Sequence, residues 1–281
     1  MKRFWGILRG NKQALAGFII LCGFFLMAAA GPHIVELDTT TNYEGRFQLP
    51  SLEHWLGTDY SGRDTFQQIV HGSRDVMLIA FSTAVFGVLL AVLVGISAGL
   101  IGGKTDFLLM RVVEVFLTVP TFPIMAIFAS LLKIRDPVSF GLVLAIWSWP
   151  PLARAIRAQV LSLKQAEFIE VCRCLGMSTS HIMFKELLPN IVPFITINFI
   201  HIAKGAITAS VGIMLLGLVP LSLTNWGMML NLAAFSTGSI FVPNALPYLL
   251  SPMLAIVLFQ YSLICFGSAV ENLFDPRLRS R

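Results

Sequence analysis

The sequence predicts an all-α integral membrane protein of six transmembrane helices with both termini cytoplasmic. Three observations predict it. Of 281 residues, 56% are hydrophobic and 12% charged, against about 25% charged in a typical soluble domain. Apolar runs recur at lengths near the roughly 20 residues that cross about 30 Å of hydrocarbon. Backbone polar groups in lipid must be satisfied within their own segment, so these runs are expected to be helices. Finally, the segments richest in Lys and Arg fall on one face if there are six spans, and cytoplasmic loops are the ones that carry such an excess.

In chain order, residues 1–13 are short and basic, with Lys2, Arg3, Arg9 and Lys12. Residues 14–31 are apolar. A basic flank and apolar core also describe a signal peptide, but no clean small-residue cleavage pattern follows, so the run reads as an uncleaved first span. Residues 32–75 form a polar, acid-rich loop suited to the outer face. The second span is 76–101, the turn Gly102–Asp106 follows, and the third span is 107–132. After a 133–137 turn comes the fourth span, 138–153, whose helix is expected to run through Pro150 and Pro151 towards Leu163. Residues 154–190 are a polar cytoplasmic loop, 191–219 the fifth span, 220–247 an irregular outer loop containing Trp226, 248–270 the sixth span, and 271–281 a basic cytoplasmic tail. Lys133 and Arg135 sit in an outer turn and dissent weakly from the charge rule.

The net charge of +5 does not gather in one patch, which argues against nucleic acid as a partner. Cys22, Cys172, Cys174 and Cys265 are expected to be reduced. Cys172 and Cys174 are too close for a C-x-x-C site, and no cluster completes a metal tetrahedron. His54, Asp59 and Asp64 have poor spacing for a metal, and the run around them reads as turn chemistry. Gly87, Ala91, Gly95, Gly99 and Gly103 recur every four positions in the second span. Small residues at that spacing let two helices approach closely.

Two motif spellings are set aside on physical grounds. Ala98 to Thr105 loosely fits a phosphate loop, but an apolar helix feeds it where a strand is needed. Gly102-Gly-Lys104 reads better as a helix C-cap. Gly95 to Gly99 spells a nucleophile elbow around Ser97, but an elbow needs a strand-to-helix turn. An intramembrane serine protease pairing Ser97 with His201 stays as an alternative class, as does a membrane scaffold that transports nothing. In the fifth span Asn198, His201, Lys204 and Thr208 share one face. Charges in spans normally face protein or water, so this face reads either as the lining of a solute pathway or as a buried pairing, with Glu114 of the third span as a conceivable partner.

The most informative stretch is the polar island 167–190. Phe168, Val171, Leu175 and Met177 have helical spacing, Gly176 can end one short helix, Ser178 or Thr179 can cap the next, and Pro189 is expected to stop it. That describes a folded shelf on the membrane surface, suited to touching a soluble partner.

The island resembles the signature loop of importer-type ABC permeases, Glu-Ala-Ala-x-x-x-Gly followed by x9-Ile-x-Leu-Pro. Glu170, Gly176, Leu188 and Pro189 match, whereas Val171 and Cys172 replace the alanines and Glu186 the isoleucine. The run His54 to Asp64, Arg111 with Val119-Pro120, Trp149 to Glu170, Trp226 to Leu230 and the tail Asp275 to Arg279 look like the peptide/nickel permease subfamily, over nearly the whole chain. The resemblance implies a type I importer permease fold in a bacterial or archaeal plasma membrane. It implies a second permease subunit, two cytosolic ATP-binding subunits holding ATP and magnesium, and an extracytoplasmic solute-binding protein, with no cofactor on this chain and no catalysis by it. It also implies coupling to the ATPases through Glu167, Glu170, Cys172, Leu175, Gly176, Met177 and Ser178. The family usually writes Glu-x-x-Leu-Ser-Phe-Leu-Gly-Leu-Gly near the end of the fifth span; Ser210 to Val219 lacks the glutamate, serine and phenylalanine. That departure bears on the choice of solute rather than on transport.

Overall fold

The structure, a computed structural model, describes residues 10–132 and 134–274. The basic residues Lys2, Arg3 and Arg9, Lys133 of the outer turn, and the tail 275–281 lie outside the described residues. Nine helical elements carry the description. They are α1 (Lys12–Ile34), α2 (Thr65–Ile101), α3 (Gly103–Thr118), α4 (Thr121–Leu131), α5 (Pro137–Leu163), α6 (Glu167–Cys174), α7 (Thr179–Leu215), α8 (Trp226–Asn231) and α9 (Leu246–Phe274). No strand occurs among the described residues, only an isolated antiparallel bridge between Thr58 and Asp64.

The tightest helix pair is α2 with α5, and the small-residue stripe makes it. A Cβ on Gly95 would fall 2.6 Å from the carbonyl of Ala153, and one on Gly99 only 2.7 Å from Val160 Cγ1. Gly87 closes on Ser148 in the same way, and Ala91 is fully buried. Gly103 departs from the stripe: nothing lies near it, because α2 has already ended. Gly102 ends it with φ 72°, its N–H bonded to Ala98 O at 3.1 Å. This is the helix cap expected of Gly102-Gly-Lys104.

By length and apolarity, α1, α2, α7 and α9 are membrane-crossing helices, and α3 with α4 makes a fifth if that bent pair is one span. The expected straight third span, 107–132, is not straight. α3 and α4 meet at 89°. Val119 is extended (φ −85°, ψ 134°) ahead of Pro120, whose ring disfavours helical geometry in its predecessor. α5 has 27 residues, about 40 Å at 1.5 Å per residue, and runs through both prolines to Leu163. Its second half carries Arg154 and Arg157.

Three further boundaries differ from the sequence reading. α2 starts at Thr65 rather than 76, because Asp64 accepts the N–H of Gln67 and caps a polar first stretch. At 37 residues it measures about 55 Å, well beyond the roughly 30 Å of hydrocarbon. Pro189 does not stop the helix before the fifth span. A π-helical segment, Ile182–Leu187, carries the chain into the long helix, with Leu188 N–H bonded five residues back to Met183 O. The proline then sits in the first turn after that segment, where a missing N–H costs least. Lastly, part of the supposedly irregular loop 220–247 is the helix α8, capped by Asn225, with Trp226, Gly227, Met229 and Leu230 buried.

α8 belongs to a cap built mostly from residues 42–75 and 220–245. Trp226 is fully buried and donates its indole N–H to Ile69 O at 3.0 Å. Asp59, also fully buried, accepts from Ser61 N and Arg63 N on one oxygen and from Arg63 Nε and Gln68 Nε2 on the other. Asp64 accepts from the His54 ring at 2.7 Å as well as capping α2. His54, Asp59 and Asp64 are thus engaged in turn and cap hydrogen bonds.

Candidate functional site

Two polar features stand out: the shelf between α5 and α7, and a seam between α7 and α9. On the shelf, α6 opens with Glu167 and Glu170 in its first turn, where carboxylates suit the positive end of the helix. Its close is a Schellman turn. Met177 N–H bonds Cys172 O at 3.0 Å and Gly176 N–H bonds Arg173 O at 2.9 Å, around Gly176 at φ 70°. Ser178 caps the next turn, accepting the N–H of His181 at 3.2 Å. Only the conformation demands glycine at 176, since a Cβ there would meet open space.

The two sides of α6 differ. Ile169 and Cys172 point inward, packed with Ile156 and Val160 of α5, Val113 of α3, and Ile182, Leu187 and Ile191 of α7. Outward, Phe168, Val171 and Leu175 are exposed at 37%, 56% and 67%. They stand at i, i+3 and i+7, one stripe of a helix. Glu167, Glu170, Arg173 and Lys185 are exposed around it, and none forms an ion pair among the described residues. Of the shelf residues singled out in the sequence, Glu167, Glu170, Leu175, Gly176 and Ser178 are thus on the open surface, Met177 is half-buried, and Cys172 holds the shelf to the bundle from behind. Phe168 and Val171 belong to the open stripe as much as Leu175 does.

In the seam, the four α7 residues do share a face but behave differently. Asn198 turns its amide back to Phe194 O at 2.9 Å. His201 Nε2 lies 4.0 Å from Glu271 of α9, both more than half exposed. Thr208 accepts from Gln260 Nε2 at 3.0 Å, and the same amide reaches Lys204 O at 3.1 Å. The Lys204 ammonium forms no ion pair among the described residues. Glu114, the conceivable partner, instead pairs with Arg111 one turn away at 2.9 Å. Gln260 and Glu271 were not singled out by sequence. The signal that finds them is the one that found Lys204: a strongly polar side chain in an otherwise apolar span.

No hydrogen bond joins Ser97, on α2, to His201, on α7, whose ring turns to Glu271. The protease constellation is therefore not assembled. All four cysteines are free.

Comparison with known proteins agrees with this picture. Residues 91–280 match the family described as binding-protein-dependent transport system inner membrane component. Residues 1–50 match the N-terminal TM domain of oligopeptide transport permease C. The oligopeptide transport system permease protein OppC of Bacillus subtilis is 31% identical over 277 residues, covering 96% of this chain and 88% of its own. A putative peptide permease protein of Brucella suis is 35% identical over 270 residues, covering 95% and 88%. The glutathione transport system permease protein GsiD of Pectobacterium atrosepticum is 30% identical over 288 residues, covering 99% and 92%.

Proposed function

The chain belongs to the family of inner membrane components of binding-protein-dependent transport systems, and on that premise we propose that it forms half of the translocation pathway of an ATP-driven importer. It is a multi-pass inner-membrane permease. In this reading it has six spans with both termini cytoplasmic, α5 being the span that length and apolarity alone do not pick out. The Gly102-Gly-Lys104 stretch is a helix cap, so energy comes from two separate cytosolic subunits that hold ATP and magnesium. A second permease completes the pathway, and an extracytoplasmic binding protein delivers the solute. The solute is peptide-like or another small polar molecule, in keeping with the named cargoes of the relatives.

The observation that carries this reading is the outward stripe Phe168, Val171 and Leu175. A short helix with exposed apolar anchors at i, i+3 and i+7, fixed from behind by buried residues, is the form that docks in a groove of another protein. Ringed by unpaired charges, it suits a soluble partner better than lipid. The seam of His201, Lys204 and Thr208 with Gln260 and Glu271 is the share of the pathway that this chain contributes. His201, Thr208 and Glu271 stand exposed and Lys204 and Gln260 half-buried, on helices that otherwise face lipid or protein.

The decisive measurement is uptake by the reconstituted complex. Leu175→Asp places a charge in the docking stripe without touching the buried side of α6. ATP-driven uptake should fall at least tenfold while membrane insertion is unchanged. Uptake at the unaltered level would overturn the reading. Cysteine at position 204 should be labelled from the aqueous side in at least one nucleotide state; protection in all states would remove Lys204 from the pathway.

A further inference from the structure

α2 and α5 end, and α3 begins, beside the point where the shelf leaves the bundle. Three residues separate the end of α5 at Leu163 from the start of α6 at Glu167. Just before that exit, Arg157 of α5 makes a two-pronged contact to Asp106 in the first turn of α3, Nε to Oδ1 and Nη2 to Oδ2. Lys164 then donates to Leu100 O at 2.9 Å, closing the carbonyl end of α2. A cation at a helix C-terminus and a carboxylate at a helix N-terminus are each favourable there.

What the contact holds is unusual. α3 has a single buried residue, Val113. Towards its far end, Phe116 packs against Trp147 and Trp149 of α5; in its first turn the polar attachment to α5 is the Asp106–Arg157 fork. By contrast, α5 is locked to α2 along its length through Gly95 and Gly99. Side chains of the fork are partly exposed, 30% for Arg157 and 19% for Asp106. Ion pairs with that much water access contribute little to stability, but a forked guanidinium–carboxylate contact fixes direction as well as distance.

We propose that Asp106 and Arg157 are positioning residues that tether the first turn of α3, and with it the bent α3–α4 pair, to the α5–shelf lever, so that these helices move with the shelf. The proposal rests on the shelf being the ATPase-docking element. Movement of a rigid lever is converted into transport only where it is attached to the elements that must move. α2 is attached by close packing along its length; the first turn of α3, next to the shelf, is attached by the fork.

The test uses the complete transporter, reconstituted with its ATPases and binding protein, and reads solute uptake and ATP hydrolysis together. Asp106→Asn and Arg157→Met should leave the complex assembled and hydrolysing ATP while uptake per ATP falls at least tenfold. Asp106→Glu, which keeps the charge, and the exchange of the two residues (D106R with R157D) should each recover at least half of the lost uptake. The proposal is overturned if uptake per ATP is unaltered in Asp106→Asn and Arg157→Met, if uptake falls only in proportion to lost assembly, or if neither charge-restoring variant recovers it. Leu175→Asp separates the two levels. Normal uptake in that variant removes the docking reading itself, whereas loss of uptake there beside normal Asp106→Asn coupling removes the tether alone.

Discussion

The two ends of this molecule handle polar groups in opposite ways. In the cap of residues 42–75 and 220–245, Asp59 is fully buried and its oxygens take four donors from its own chain. Arg63, Gln68 and the indole of Trp226 are likewise consumed internally. On the shelf, Glu167, Glu170, Arg173 and Lys185 have no ionic partner among the described residues, and Phe168, Val171 and Leu175 face outward. Both ends are folded with caps and turns of good geometry. The difference shows which end settles its charges within a single chain and which leaves them for something else. Charges without ionic partners around an exposed apolar stripe mark the second kind.

The sharpest way to break this comparison is Asp59→Ala. Removing one partner from a buried charge pair leaves the other uncompensated and costs about 3–5 kcal/mol. The detergent-solubilised protein should unfold at a clearly lower temperature, with or without its partner subunits. A shelf substitution should do the reverse: Leu175→Asp should leave that temperature unaltered in the isolated chain and act only on coupled uptake. If Asp59→Ala is thermally silent, the cap is not the self-sufficient end described here.

Gly176→Ala has a smaller expected effect. A left-handed residue with a Cβ costs about 1–2 kcal/mol, and no clash adds to it because the space is open. Amide exchange at Leu175 to Met177 should accelerate, and Gly176→Asn should accelerate it less, since asparagine tolerates that conformation better. Equal exchange in Gly176→Ala would mean that the Schellman turn does not hold the shelf.

The smallest effect sharpens the comparison from the other side. The cap end is not perfectly satisfied: Thr65 Oγ1, Asn225 Nδ2 and Tyr248 OH are buried without a hydrogen-bond partner among the described residues. Tyr248→Phe removes one such group with little change of shape. Thermal stability should stay level or rise by up to about 1 kcal/mol. A fall of more than that would show that the hydroxyl is engaged by something at this end.

Local features were legible because their causes lie within a few residues of each other. Gly102 and Gly176 end helices since only glycine takes their positive φ without strain. Ser178 caps because its hydroxyl reaches three residues ahead. The stripe Gly87, Ala91, Gly95 and Gly99 announced a close helix contact, though not that α5 supplies it. Proline was the least reliable guide. Pro120 marks a right-angled break, Pro150 and Pro151 pass within one helix, and Pro189 sits harmlessly after a π-helical segment. A missing N–H is a local fact, but whether the chain bends there depends on what packs around it.

The sequence by itself determined an apolar, helical, multi-pass chain with a charged helical shelf, because solvent preference and backbone capping are properties of short segments. Only the tertiary structure decided which polar residues meet. Asp106 with Arg157, Gln260 with Thr208, and Asp59 with Gln68 are pairings fixed by how helices and turns cross. It likewise decided that Cys172 faces in and Leu175 out, since a helix fixes the angle between two side chains but its neighbours fix which side is buried.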